Sequence, residues 1–98
     1  MLEYQIRQAE SSLEKSPAIF LIHGYGSHAD DLFSFAPYLP SSHTIIALQA
    51  PLALAVNSYA WYPLYPKEDG TLDSELEAAW NAVEVLDKNI NHLIEKYN

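Results

Sequence analysis

The 98-residue sequence contains no cysteine, which excludes disulfides, thiol catalysis and thiolate metal sites. Basic residues are scarce: five Lys and Arg stand against 13 Asp and Glu, a formal net charge of -8. A phosphate backbone needs a basic surface, so nucleic acid is not an expected partner, and neither is an anionic membrane. The excess reads as a solvated acidic surface. No apolar run reaches membrane-spanning length. The start, Met1-Leu2-Glu3-Tyr4-Gln5, lacks the basic-then-apolar pattern of a secretory leader. The default expectation is a cytoplasmic protein. Glycine occurs only at 24, 26 and 70. His23, His28, Asp30 and Asp31 lie close together, but no spacing matches a tight metal site. Asp30 and Asp31 read more simply as helix N-terminal residues favoured by the macrodipole. No metal or other cofactor is expected.

What is present is a foldable composition, 49% hydrophobic and 18% charged, enough for one small domain over residues 1–98. Tyr4 to Ala9 alternate apolar and polar, as in a half-exposed edge strand. Glu10 to Ser16 read as a polar turn. Pro17 opens Ala18-Ile19-Phe20-Leu21-Ile22, an apolar run suited to a strand buried on both faces, as in a parallel sheet. Asp30 to Tyr38 read as a short helix with Ser27 or Asp30 as cap and Pro37 weakening its last turn. Thr44-Ile45-Ile46-Ala47-Leu48 is a second apolar, β-branched strand.

Residues 51–72 have no clean period and are rich in proline and aromatics, including Tyr59, Trp61, Tyr62, Pro63, Tyr65 and Pro66. They read as a long functional loop. Leu76, Ala79, Trp80, Val83, Leu86, Ile90, Leu93, Ile94 and Tyr97 then follow helical spacing, with Ser74 and Glu77 at capping-box positions. The order is strand, strand, helix, strand, loop, helix, which predicts an α/β fold with a right-handed βαβ unit. A final helix with no strand after it makes the pattern look truncated. There is no internal repeat.

The chemistry-bearing feature is His23-Gly24-Tyr25-Gly26, at the end of the strand over 18–22. Ligands of open α/β sheets bind beyond the carboxyl ends of the strands. Glycine there lets backbone N–H groups approach a ligand, where they can stabilise an anionic oxygen. It also serves any tight strand-to-helix turn sterically, and the turn by itself leaves both readings open. Gly24-x-Gly26-x-x-Ala29 further fits a relaxed dinucleotide fingerprint. Against that reading, Asp30 and Asp31 would sit where a pyrophosphate needs positive potential, and residues 32–67 hold no acid for a ribose hydroxyl.

Phe20-Leu21-Ile22-His23-Gly24-Tyr25-Gly26-Ser27, followed by Asp30-Asp31-Leu32-Phe33, resembles the start of the phospholipase/carboxylesterase family of α/β-hydrolases. That family includes acyl-protein thioesterases and small bacterial esterases, and the bacterial branch fits most closely. Ile45-Ile46-Ala47-Leu48-Gln49-Ala50-Pro51 and Tyr59-Ala60-Trp61-Tyr62 follow in matching order. The resemblance covers nearly all of this chain but about the first half of the family's domain. It implies a partial α/β-hydrolase sheet: an edge strand, two parallel strands and two helices, truncated before the nucleophile elbow. It implies that Tyr25 supplies an oxyanion-hole N–H, that His23, Gly24 and Gly26 shape the loop, and that Trp61 and Tyr62 help wall an acyl pocket. Core packing is the other reading of that aromatic pair. Where the family usually carries glycines before Tyr59, this chain has Asn57 and Ser58.

The elbow Gly-x-Ser-x-Gly needs glycines four apart, and no pair here has that separation. In the family all three triad members follow the last helix, so no catalytic residue is expected in this chain. His28, His43 and His92 have no evident nucleophile to serve, and His92 reads as a surface residue. The expected function is the N-terminal part of a serine carboxylesterase, thioesterase or phospholipase-like hydrolase, inactive alone, whose complete relatives act on small ester or acyl substrates. The alternatives are a non-catalytic module that self-associates through an exposed sheet edge or apolar surface as a homo-oligomer, and, more distantly, a dinucleotide-binding βαβ unit.

Overall fold

The computed structural model describes residues 1–10 and 16–97. Most of the expected turn over 10–16 lies outside them. Three strands form the main sheet: β1 (Tyr4–Arg7), β2 (Ala18–Ile22) and β3 (Thr44–Leu48), in the order β1-β3-β2. β2 runs parallel to β3 with Ala18 opposite Thr44 and Ile22 opposite Leu48. β1 runs antiparallel to β3, pairing Tyr4 with Leu48 and Arg7 with Ile45. β3 is central, and all five of its residues are buried, as its unbroken apolar run demands. β2 departs from expectation. Its residues are half-buried and Ile22 is exposed, because its outer edge pairs with no described strand.

Between β2 and β3 lies α1 (Ala29–Phe33), then a 3₁₀ turn over Ala36–Tyr38. The single helix expected over 30–38 is therefore interrupted. Pro37 has no N–H to donate into a continuing α-helix. The cap is neither Ser27 nor Asp30: His28 Nδ1 accepts from Asp31 N–H at 3.3 Å, while Ser27 Oγ donates to Asp31 at 3.2 Å. Arg7, from β1, ties this segment down. Its guanidinium donates to the carbonyls of Ala36, Pro40 and His43, a use of the many donors that only Arg offers.

The expected long loop over 51–72 is instead two hairpins, β4 (Leu52–Ala55) with β5 (Ser58–Ala60), and β6 (Tyr65–Pro66) with β7 (Leu72–Asp73). The first turns at Asn57, which takes φ 57°, a left-handed conformation that Asn tolerates better than most residues. All of β4 is exposed, so no half-buried alternation marks it. In the second hairpin Asp69 accepts from the hydroxyl and N–H of Thr71, and these bonds hold its carboxyl below the usual range.

α2 (Leu76–Tyr97) lies across the sheet, and Leu93, fully buried, packs with Ile46 and Leu48. Leu86, Ile90, Tyr97, Phe20 and Trp61 close round this core. Ile45 and Ala47 point to the opposite face of β3, where α1 lies. The docked face of α2 is narrower than its apolar pattern suggests: Leu76, Trp80, Val83 and Ile94 are exposed, while Ala82 and Asn89 are buried. Asn89 is satisfied on both sides, accepting from Leu2 N–H and donating to Val85 O. At the helix start the bond found is not the expected capping box; Asp73 accepts Ser74 N–H at 2.8 Å. Among the described residues no helix is long and apolar enough to cross a membrane.

The far end of α2 is fastened to β1 by Tyr4 and Tyr97, whose hydroxyls are 2.8 Å apart, with Lys96 Nζ 3.5 Å from that of Tyr4. The bond donated by Tyr97, with help from Lys96, lowers the Tyr4 pKa; donating its hydroxyl proton to Tyr4 raises that of Tyr97. Tyr4, depressed, adds stability as pH rises toward the ordinary tyrosine value of about 10. Tyr97, raised, loses its contribution as pH climbs above that value. A 295 nm titration is expected to show one tyrosine ionising early and one late. Tyr97→Phe should bring Tyr4 back toward the ordinary range; an unchanged titration would refute the pairing.

Candidate functional site

The turn after β2 is built by backbone bonds that the sequence does not spell out. Ser27 N–H donates to Gly24 O at 3.2 Å, closing a β-turn with Tyr25 and Gly26 at its centre. Gly26 has φ +83°, the requirement of the third position of a type II turn. β5 clamps the turn from the other side: Gly26 N–H donates to Tyr59 O at 2.8 Å, and Tyr59 N–H to Ser27 O at 2.9 Å.

His23 is the keystone. It is 3% exposed. Its Nε2 lies 3.0 Å from Ala50 N, and a backbone N–H can only donate, so Nε2 carries the lone pair. The ring proton then sits on Nδ1, which donates to Gly24 O at 2.8 Å. Trp61 stacks on the ring at 5.3 Å between centroids, and its Nε1 donates to His23 O at 2.8 Å. Gly24 O and Tyr25 N–H belong to one trans peptide unit. With that oxygen held by His23 and Ser27, the Tyr25 N–H points the opposite way, outward. Among the described residues nothing accepts from it. Such a fixed, open donor at the carboxyl end of a parallel strand can bind an anionic oxygen.

Beside it is a cleft of about 240 Å³ lined by Gly24, Tyr25, Trp61, Tyr62 and Leu64. The sequence-picked residues 23–26, 61 and 62 thus converge. Trp61 packs against the core and also lines the cleft. A larger cleft of about 470 Å³ lies on the β1 side, with polar walls that include Glu3, His28, Asp30 and Gln49. His43 bonds Ser42 in an exposed loop, and His92 is exposed on α2, away from the turn. Sequence reasoning missed the backbones of Ala50 and Tyr59 and the Gln49 side chain, which accepts Ala29 N–H at 2.7 Å. Backbone partners leave no residue signature; only the position of Gln49 at a strand's carboxyl end hinted at it.

The two turn glycines are not equivalent. A Cβ on Gly26 would be strained whatever the space, whereas one on Gly24 meets nothing within 4 Å. Gly26→Ala is expected to cost about 1–2 kcal/mol, and Gly24→Ala less than about 0.5 kcal/mol. Urea unfolding of the two variants checks the order. The fold therefore does not explain Gly24, and the space that it keeps lies beside the open N–H.

No protein-family model and no curated protein matches this sequence. Among solved structures, the crystal structure of esterase PE8 is similar, with 30% identity and a TM-score of 0.78 over 98% of this chain. The alignment takes in 46% of that chain, so this chain spans about half the length of that esterase. With its strand order, its helices on both faces and this likeness, the chain has the fold of part of an α/β-hydrolase domain.

Proposed function

We propose that this chain forms one half of the acyl-transfer site of a serine carboxylic ester hydrolase, of the phospholipase/carboxylesterase type that its motifs resemble. The observation that carries the reading is the outward, unpaired Tyr25 N–H on a peptide locked by His23. When a nucleophile adds to an ester carbonyl, the π electrons move onto oxygen, and a preorganised N–H stabilises the oxyanion. Gly24 leaves room for the carbonyl to approach, and the cleft walled by Trp61, Tyr62 and Leu64 receives the acyl group. The nucleophile is not among these 98 residues, since no Gly-x-Ser-x-Gly occurs. The open edge of β2 suits the strand that would carry it: strands pair about 5 Å apart, so its carboxyl end would lie beside the turn.

Two measurements test this. The 98-residue chain is expected to hydrolyse p-nitrophenyl butyrate at background rate and to resist labelling by a fluorophosphonate. Butyrate should shift the Tyr25 amide resonance, and Gly24→Ala should abolish that response without unfolding the chain. Labelling of a serine in the chain alone, or a Tyr25 amide blind to butyrate, would each overturn the assignment.

A second reading rests on the same open edge. β2 is unpaired on one side, Leu76, Trp80 and Val83 are exposed along α2, and the radius of gyration is 15.4 Å against about 13 Å for a compact domain of this length. Exposed edges pair and apolar patches associate. In this reading copies self-associate with sheets continuing across the contact. Light scattering at high micromolar concentration would count against it by finding monomer.

A further inference from the structure

Trp61 and Tyr62 line a second cleft besides the one at the turn. It has about 230 Å³ and is walled further by Pro51, Pro63, Ala82 and Val85, with Asn81 the one amide side chain on its lining. The two compartments share the aromatic pair as a common wall. The halves of that wall are held differently. Trp61 is fixed by its bond to His23 O and its stack on the imidazole. Tyr62 is half-buried, and among the described residues no hydrogen bond holds its hydroxyl. A cavity of about 150 Å³ takes benzene, so the distal compartment has room for several methylenes. It lies beneath the first half of α2, where the helix presents Ala78 and Ala82 instead of large side chains, and that choice keeps the space open.

We infer that the compartment under α2 binds the distal methylenes of a straight-chain acyl group whose carbonyl end sits at Tyr25, with Tyr62 as the movable part of the divide. This rests on the proposed acyl-transfer reading and extends it: short acyl groups fill the proximal cleft alone, and medium-length chains reach past Tyr62. Trp61 and Tyr62 then become length-determining residues, and Ala82 sets the depth of the far compartment.

The test uses the 98-residue chain, with Trp80→Phe making Trp61 its sole tryptophan, and sodium butyrate and sodium decanoate below micelle formation as probes. Butyrate is expected to move the Tyr25 amide and Trp61 indole resonances but not the Ala82 methyl. Decanoate should move all three and bind about a hundredfold tighter, from burial of part of its extra chain. Val85→Phe, at the rim, and Ala82→Leu, at the floor, should each abolish that advantage and leave butyrate unchanged. The inference is overturned if decanoate leaves the Ala82 methyl unmoved, or if its advantage survives both fillings. If Tyr25 responds to neither acid, the acyl-transfer reading itself falls, and the two failures are distinguishable.

Discussion

Replacing Leu93 by alanine is expected to cost about 3 kcal/mol, the middle of the range for deleting a fully buried leucine. The side chain is 0% exposed and sits between α2 and the β3 residues Ile46 and Leu48. Among the described residues no other side chain of α2 is so completely buried. Its neighbour Ile94 is 40% exposed on the outer stripe, so Ile94→Ala should cost less than about 1 kcal/mol. In a domain of this size the Leu93 change should lower Tm by roughly 12–24 °C. Thermal and urea unfolding of the pair would reveal an error in the helix rotation if the two variants lost similar stability.

Replacing His23 by leucine is expected to cost about 2–4 kcal/mol and to undo the turn at the same time. The Ala50 N–H would be left buried without an acceptor, a penalty of about 1–3 kcal/mol. The aromatic contact with Trp61 would go too, adding about 0.5–1.5 kcal/mol. Gly24 O would lose the Nδ1–H that orients its peptide, so Tyr25 N–H would no longer point to one place. The native ring is expected to show the Nδ1–H tautomer by nitrogen NMR, with Nε2 unprotonated. Finding the opposite tautomer would dissolve this account. In the leucine variant the Trp61 indole resonance should shift, and the Tyr25 response to butyrate should disappear even where the chain stays folded.

These two residues were legible to different degrees. Leu93 lay on a helical stripe of nine apolar residues, which placed α2 correctly. The stripe could not say which half of those residues would dock. A helix shows its periodicity to any apolar neighbour, and the sheet is wide enough to cover only the face carrying Ala82, Leu86, Asn89 and Leu93. His23 was assigned to shaping the loop by resemblance; in the structure one of its ring nitrogens meets Ala50 N–H and the other Gly24 O. Neither partner uses a side chain, so neither could be read from residue identity.

The hairpins over 52–73 were hidden for a related reason. Periodicity is visible where one face is buried and the other wet. β4 is exposed throughout and β6 and β7 have two residues each, so neither condition arose. Asn57 and Ser58, which stand where the resembling family carries glycines, turn out compatible with a tight hairpin because Asn57 accepts a positive φ.

By itself the sequence determined an edge strand over 4–9, which the structure shortens to 4–7, the strands at 18–22 and 44–48, the long helix, the α/β order, the glycine turn and the lack of a nucleophile elbow. These follow from side-chain type and spacing, which local sterics and burial convert directly into structure. Only the tertiary structure decided that β3 is central and β2 open at its edge, that β5 clamps the turn, and that Tyr25 N–H is left pointing outward. Those outcomes depend on backbone groups meeting across 20 to 40 residues of chain, as Ala29 meets Gln49 and His23 meets Trp61. Every non-proline residue carries the same backbone donor and acceptor, so the choice of partners is made by packing and not by the letters of the chain.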